Sequence, residues 1–412
     1  MKSATAITYE LDNAIVAAKQ LVEAIGKQLV MEKNAIGILL CDADLDGAVV
    51  TEEIKNRLGI EVAGMTTLAT LDRDGHHEAA AVLTVLTSDD CTFIAKASQS
   101  LANADFEQKI AEVCGEASPK IKSSDEGIMF AFCPNGMPFS GDKYPGILSE
   151  KTGVTPVGGV LPMGDVPLMG GVPLMGGVAS DDYDFERARV FLSGEEFRDS
   201  LVLVGVWGNV KPVFSIRHVT SRFAERTQKI TEANDNIVHK VGEETFVQYL
   251  EGFGLKVDVP DPALAFTSYP MMLTSGDTSD EVPLMRHISG LDHTTGSGSF
   301  FGDVPAGTMA NICLINKDDI VAACRESMNA LLEEADKQPD YHYSTVLCIS
   351  CCGRAMILGA DSDAEGHVLS ELLPGGLSLT GAYCLGEICP TFYKEGKAVN
   401  RFHNCSITFC MF

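Results

Sequence analysis

Arg354 follows Ser350-Cys-Cys-Gly353 at the end of an apolar run, and Glu387 follows Gly386 at the end of the next. A guanidinium is a planar fork of donors that matches a carboxylate, and a glutamate accepts from an ammonium group. The pair therefore suits a zwitterion such as an amino acid. Pockets in layered α/β proteins open at strand ends, where polar groups converge within apolar walls. The same two charges also satisfy one another as an internal salt bridge, because a charge beside a core strand needs a partner. Both readings stand at this stage.

Other residue patterns point to metals, thiols and haem. Asp42-Ala-Asp44-Leu-Asp46-Gly47 with Glu53 matches a calcium loop, in which carboxylates at the first, third, fifth and twelfth positions surround one ion. Its context differs from an EF-hand, since it follows an apolar strand-like run and leads into a helix, where aspartates also cap free N–H groups. Cys348 and Cys351 are three apart, which on a strand places them on opposite faces, so they read as core thiols. Cys133-Pro134 and Cys389-Pro390 are dipeptides of the kind that ligate haem through sulfur. A thiol enzyme would use Cys351 or Cys352 with His403 as base. His76 and His77 read as a solvated turn. No Ser-His-Asp, Walker or dinucleotide-binding pattern occurs in a suitable context.

These residues must be held by regular elements. Apolar residues at helical spacing over 10–33 predict an amphipathic helix, followed by a strand at 35–41, a helix at 51–58, a strand from Ile60 and another at 78–87. The order recurs at 127–133, 144–151, from Val154, and in a hairpin of 188–192 with 201–207. It recurs again at 345–352, 366–372, from Leu377, and at 405–412. In each copy the strand after the helix runs into glycine, at Gly64, Gly158 and Gly381, where a close backbone approach is implied. Further helices at 105–115 and 318–337 cover a sheet. The hexapeptide Gly164-Asp-Val-Pro-Leu-Met169, repeated through Met175 and decaying by Asp181, reads as a loop, because its prolines exclude a central strand. The expected fold is α/β: repeated β-α-β-β units forming mixed sheets layered with helices, in two lobes of residues 1–235 and 236–412 that meet in the polar stretch 217–240.

The chain has 412 residues, 57 acidic and 31 basic, for a net charge of −26. Such a surface repels phosphate backbones, which argues against nucleic acid. No run reaches the roughly 18 apolar residues of a membrane span, and the first 19 residues lack a basic-then-apolar leader. The expectation is a soluble cytoplasmic protein, without membrane insertion, whose thirteen cysteines are buried and reduced.

Several of these motifs together carry a resemblance. The Ser350-Cys-Cys-Gly-Arg354 core with Ile357-Leu-Gly359, then Thr380-Gly-Ala-Tyr-Cys-Leu-Gly-Glu387-Ile-Cys-Pro390, then Phe402-His-Asn404, resemble the C-terminal domain of the FIST (F-box and intracellular signal transduction) family. Tyr269-Pro270, Arg286 and Phe301-Gly302-Asp-Val-Pro-Ala-Gly307 fall where that domain's patterns would put them. The N-terminal half is similar to the FIST N domain through Val157-Gly-Gly159 or its equivalent Gly176-Gly177, Asp181, and the hairpin ending in Trp207. Cys405 departs from the family pattern, where glutamine is more usual. The resemblance implies an intracellular sensor of a small ligand, amino acids included, signalling through a separate partner: a histidine kinase of a two-component system, a chemoreceptor or a cyclic-dinucleotide enzyme. Haem as a nitric-oxide-sensing cofactor is the alternative it implies. It adds Arg286, His403 and Asn404 to Arg354 and Glu387 as ligand-binding residues, with no catalytic residue and no metal.

Overall fold

The computed structural model describes residues 1–118, 127–151, 172–219, 226–274, 283–394 and 397–412. Three similar units follow one another. The first runs β1 (Lys2–Thr8), α1 (Ala14–Gln28), β2 (Asn34–Cys41), α2 (Gly47–Leu58), β3 (Glu61–Thr66), a hairpin of β4 (Thr70–Asp72) and β5 (Gly75–His77), and β6 (Ala81–Ser88). The second repeats this with β7 (Thr92–Ala97), α3 (Phe106–Ala117), β8 (Gly127–Cys133), α4 (Lys143–Lys151), β9 (Leu174–Val178), a hairpin of β10 (Val190–Leu192) and β11 (Glu195–Phe197), and β12 (Val202–Trp207).

The third opens with β13 (Val213–His218) and is then interrupted. The insertion holds β14 (Gln228–Asn234), β15 (Ile237–Val241), β16 (Glu244–Thr245), α5 (Phe246–Glu251), α6 (Pro262–Ala265), β17 (Met271–Thr274), β18 (Leu284–Arg286), β19 (Ile288–Asp292), β20 (Ser297–Phe300) and β21 (Met309–Ile312). The unit resumes with α7 (Lys317–Asp336), β22 (Thr345–Cys351), α8 (Cys352–Leu358), α9 (Ala364–Leu372), β23 (Ser378–Cys384), a hairpin of β24 (Glu387–Lys394) and β25 (Lys397–His403), and β26 (Ser406–Met411).

The sheets show how the units interlock. Their orders are β1-β6-β2-β3-β10-β11, β7-β12-β8-β9-β24-β25 and β13-β26-β22-β23-β4-β5, and the insertion forms an eight-stranded antiparallel sheet of its own. Each of the three six-stranded sheets takes four strands from one unit and a hairpin from another. Unit two gives β10–β11 to unit one, unit three gives β24–β25 to unit two, and unit one gives β4–β5 to unit three, which closes the exchange into a ring. Within each sheet one pair is parallel, β2 with β3, β8 with β9, and β22 with β23, and the others are antiparallel. The fold is therefore mixed α/β, with mixed sheets layered by helices.

Strand periodicity explains the layering. Ile36, Ile38 and Leu40 of β2, Ile128, Phe130 and Phe132 of β8, and Leu347 and Ile349 of β22 share one central core. The intervening residues face helices: Leu39 and Cys41 under α1 and α2, Met129 and Ala131 under α3 and α4, Val346 and Cys348 under α7 to α9. Burial on both faces makes these strands read as continuous apolar runs. The helices stop and start where the sequence provides caps: Asn13 accepts from the Val16 N–H, Asp46 from the Val49 N–H, and Asn316 with Asp319 forms a capping box.

Several expectations are corrected. Leu174–Val178, read as loop, is a central strand between β8 and β24, because Pro173 stops just short of it and Leu-Met-Gly-Gly-Val carries no proline. The expected strand from Val154, with Gly158, lies outside the described residues, as do Gly164 to Gly171. The expected hairpin of 188–192 with 201–207 does not form: β10 pairs with β3 and β11, and β12 with β7 and β8. The polar stretch 217–240 contains the hairpin β14–β15, which turns at Asp235 with φ 49°. Strands from both sides of that turn share sheets, as β13 does with β26 and β4 with β23.

The glycine reading holds at Gly64 and Gly381, and Gly176 takes the corresponding register position in the second unit. Gly64 pairs with Leu39, Gly176 with Ala131, and Gly381 with Cys348. A Cβ at these glycines would stand 1.8, 1.9 and 2.9 Å from the carbonyl oxygen of that same partner. Gly64→Ala and Gly176→Ala should each lower the unfolding free energy by about 3 kcal/mol. Gly26→Ala, on a helix with nothing within 4 Å of the added carbon, should raise it by up to ~1 kcal/mol. Urea denaturation of the three variants checks both directions.

Candidate functional site

At the C-terminal end of β22 the second sheet, the third sheet and the inserted sheet meet. β22 delivers Ser350 and Cys351, and the chain turns directly into α8, so Arg354 sits in the first turn of a helix just past the strand end. β13 ends there in His218, β24 begins with Glu387, and β25 ends in His403 opposite it. The turn Asn404–Cys405 leads to Ser406, which lies in register with His218. β18 and β19 of the insertion bring Arg286 and His287 to the same turn, where Arg286 Nη1 donates to the Phe402 carbonyl at 3.2 Å and the His287 N–H to Asn404 Oδ1 at 3.5 Å.

Arg354 does not pair with Glu387. It pairs with Glu365, at the start of α9, through Nε at 3.1 Å and Nη2 at 2.7 Å, and the two side chains are 1 % and 0 % exposed. Glu365 also accepts from Ser350 Oγ at 2.9 Å and from the Tyr383 hydroxyl at 3.0 Å. This buried bridge has every oxygen of its carboxylate occupied. Arg354 Nη1, in contrast, has no hydrogen-bond partner.

Glu387 lies beside different groups. Its Oε2 accepts from the Ser406 N–H at 3.2 Å and hydroxyl at 2.7 Å, while Oε1 has no hydrogen-bond partner. Burial, and then the neighbouring Cys351 thiol, push this carboxyl well above the ordinary range, against the pull of Ser406, and so favour its protonated form. Neither nitrogen of His218, nor Nδ1 of His403, has a hydrogen-bond partner, and the two rings lie 5.3 Å apart. His403 Nε2 faces Thr391 Oγ1 at 3.4 Å. Burial, followed by the charges of Arg354 and Arg286, lowers His218 to about 3. Burial, then His218, Arg401 and Arg286, holds His403 well below the ordinary histidine range. Both rings are neutral at neutral pH.

Arg286 is committed elsewhere. Its donors reach the carbonyls of Asp303 at 2.8 Å, Met285 at 3.1 Å and Phe402, and Asp142 Oδ1 at 2.8 Å. It straps the inserted sheet to the loop before α4. Asn404 Nδ2 donates to the His403 carbonyl at 3.1 Å, so Asn404 shapes the turn. His218 is the residue the sequence reading missed. It ends an ordinary half-polar strand, and only the pairing of β13 with β26 brings it to the cluster.

The remaining candidates are dispersed. Asp46 caps α2, Asp42 accepts from the Asp44 N–H at 2.8 Å, Asp44 pairs with Arg187, and Glu53 pairs with Arg57, so the calcium template does not close around a point. Among the described residues the one group of three ligating side chains is Asp181, Asp182 and Asp184. His76 packs on Tyr383 and His77 Nε2 meets Asp72 at 2.7 Å, so neither is a freely solvated turn residue. All thirteen cysteines are buried thiols. Cys133 and Cys389 lie within β8 and β24, and burial raises both thiols. The imidazole that a thiol reaches is His287, from Cys405, not His403 from Cys351 or Cys352.

Two predictions follow from this geometry. Arg354→Ala should cost about 3–5 kcal/mol of stability without any ligand, because Glu365 would be left buried and unpaired. Replacing Arg354 with Met and Glu365 with Leu together should recover most of that loss in denaturant titrations. Unfolded histidines bind a proton near 6.5, whereas folded His218 does so at about 3, so the unfolded state binds more protons between these values. Stability should therefore fall as pH drops through that window, and His218→Asn should flatten the slope.

Family models match a FIST N domain over residues 35–244 and a FIST C domain over residues 244–390. No curated protein matches the chain. Among solved structures, one described as "Cyanuric acid hydrolase: evolutionary innovation by structural concatenation" is 10 % identical. It aligns over 76 % of this chain and 100 % of its own with a TM-score of 0.29, too loose a likeness to carry an argument. No helix among the described residues is long and apolar enough to cross a membrane.

Proposed function

The chain belongs to the FIST family, and from that premise we propose that it senses a small zwitterionic ligand of the amino-acid class at the junction of Arg354, Glu387, His218 and His403. FIST domains are sensor domains of signal transduction, which supports a sensory role. The observation that carries the reading is the set of unpartnered polar atoms: Arg354 Nη1, Glu387 Oε1, both nitrogens of His218 and His403 Nδ1. Native interiors leave few buried polar groups unpaired, because each costs about 1–3 kcal/mol. A cluster of them is accounted for by a ligand that completes their bonds.

The charge state favours a zwitterion. Glu365 neutralises Arg354, both histidines are uncharged, and burial favours the neutral form of Glu387, so the site carries little net charge. A ligand carboxylate takes the spare Nη1 donor. A ligand ammonium beside Oε1 restores the ordinary acidity of Glu387, whose proton leaves. Occupancy then bears on the ends of β13, β22 and β26 and, through Asn404 and His287, on the inserted sheet. The signal passes to a separate protein partner, with a histidine kinase, chemoreceptor or cyclic-dinucleotide enzyme as the classes to examine.

A thermal-shift screen of amino acids and related carboxylates tests the reading. For a positive ligand, calorimetry in buffers of different ionisation enthalpy should show release of about one proton per ligand bound at neutral pH. Glu387→Gln should abolish that proton release and the thermal shift while leaving the apo protein at least as stable, because a raised carboxyl costs stability as pH rises. An undiminished ligand response in Glu387→Gln would place the site elsewhere.

A further inference from the structure

The turn between β25 and β26 carries chemistry that the ligand cluster does not use. Cys405 adopts φ 57°, a left-handed conformation uncommon for a side-chain-bearing residue, and Ala79 adopts φ 47° at the corresponding turn of the first unit. An alanine suffices for that turn, so backbone geometry does not call for a thiol. The Cys405 sulfur lies 3.9 Å from His287 Nδ1, and His287 Nε2 lies 3.0 Å from the Ala263 carbonyl oxygen. A carbonyl only accepts, so Nε2 carries the hydrogen and Nδ1 presents its lone pair to the sulfur. A nucleophile, a base and a group that orients the base are thus in line.

A second thiol completes the arrangement. Ser350 and Ile407 are the last registered pair of β22 and β26, so Cys351 and Cys405 lie one and two residues beyond it on adjacent strands. Cys405 is the foremost neighbour raising the Cys351 thiol, ahead of burial. Gly353 lies beside the base and the second thiol: a Cβ there would stand 3.4 Å from His287 Nδ1 and 3.7 Å from the Cys351 sulfur. The other cysteines lack such an imidazole at hydrogen-bond distance among the described residues, and burial raises those of the core strands, including Cys41, Cys133, Cys389 and Cys410. Cys405 is 3 % exposed, and the Phe301 ring, 39 % exposed, lies edge-on to His287 at 5.8 Å. A sulfur so little exposed calls for a small oxidant of the hydroperoxide class.

We propose that Cys405 and Cys351 form a reversible two-electron redox pair, oxidised by a small hydroperoxide with His287 as base. The Cys405 sulfur attacks the terminal peroxide oxygen as its proton passes to His287 Nδ1. The O–O bond breaks, the departing oxygen takes that proton, and Cys405 becomes a sulfenic acid. The Cys351 sulfur then attacks the Cys405 sulfur, an S–S bond forms, the S–O bond breaks, and the hydroxyl leaves as water with the Cys351 proton. Two thiols and one hydroperoxide give one disulfide, one alcohol or water, and one water. This pair stands whether or not the neighbouring cluster binds a zwitterion.

The test uses the full chain, reduced and freed of reductant, treated with stoichiometric hydrogen peroxide, then denatured and alkylated with N-ethylmaleimide. Peptide mass analysis should show the loss of two labels and one cross-link between the peptides carrying Cys351 and Cys405, reversed by dithiothreitol. Cys352→Ser should keep the cross-link, which assigns it to Cys351. Cys351→Ser should stop at a dimedone-reactive Cys405, and His287→Gln should slow oxidation at least ~10-fold. Full labelling of Cys351 and Cys405 in the oxidised wild-type chain, or oxidation spread evenly over the thirteen thiols, would overturn the proposal.

Discussion

Glu365 is the constraint on which the candidate site depends. A carboxylate with no solvent exposure is tolerated only if its lone pairs are filled, and here Ser350, Tyr383 and two donors of Arg354 fill them. These donors come from β22, β23 and the first turn of α8, and the carboxylate comes from α9. One charged hub therefore fixes the angle at which α8 leaves the strand. It also aims the remaining nitrogen of Arg354: Nη2 donates to the Ile320 carbonyl of α7 as well as to Glu365, so that only Nη1 is left over. A functional donor held by a saturated structural pair is pre-organised, because its rotamer is decided before any ligand arrives.

The hairpin exchange supplies the other half of the geometry. Because β24 and β25 lie in the second sheet while β22 and β26 lie in the third, Glu387 and His403 approach the end of β22 from a different sheet. Ser406, the first residue of β26, ties the two sheets by donating twice to Glu387. Sequence-adjacent residues on either side of one turn thus belong to separate sheets, and the turn at Asn404 and Cys405 is where they part. This also explains why the central core holds residues of all three units and why none of the six-stranded sheets is the work of one unit.

Much of the fold was legible in particular residues. The apolar runs at 35–41, 127–133 and 345–352 are the central strands, and the glycines at 64 and 381 do mark close approaches, because burial on both faces and a missing Cβ leave strong local signals. In the second copy the expected strand from Val154 lies outside the described residues, and the described strand, Leu174–Val178, begins just after Pro173 at the end of the duplicated hexapeptide. The hairpin assignments failed for a different reason. Sequence neighbours pair by default, whereas β10 and β12 are directed to separate sheets by a partner that local pattern does not encode. The site suffered in the same way. Arg354 follows the end of β22 and Glu387 opens β24, strand ends as their glycine contexts suggested, but 366–372 was read as the helix of the third repeat. Glu365 at the start of α9 carried no motif to mark it as the partner.

The register also shows why the cluster arises at one of three equivalent places. Thr70 pairs with His77, Val190 with Phe197, and Glu387 with His403, and the partners of Thr70, Val190 and Glu387 across the sheet, at Ala382, Met65 and Gly177, each follow the glycine of close approach. These are the same position in three hairpins. In the second unit's hairpin the pair is apolar and closes the core. In the first, the histidine is held by Asp72 and by the Tyr9 hydroxyl at 2.7 Å. In the third, the insertion between β13 and α7 lays Arg286 and His287 across the turn, burying Glu387 and His403 completely while leaving polar atoms of both without partners. Burial without partners is unstable on its own, and neither relative of the pair pays it. The insertion is thus what turns one hairpin end out of three from a packing contact into a buried cluster with unpartnered polar atoms.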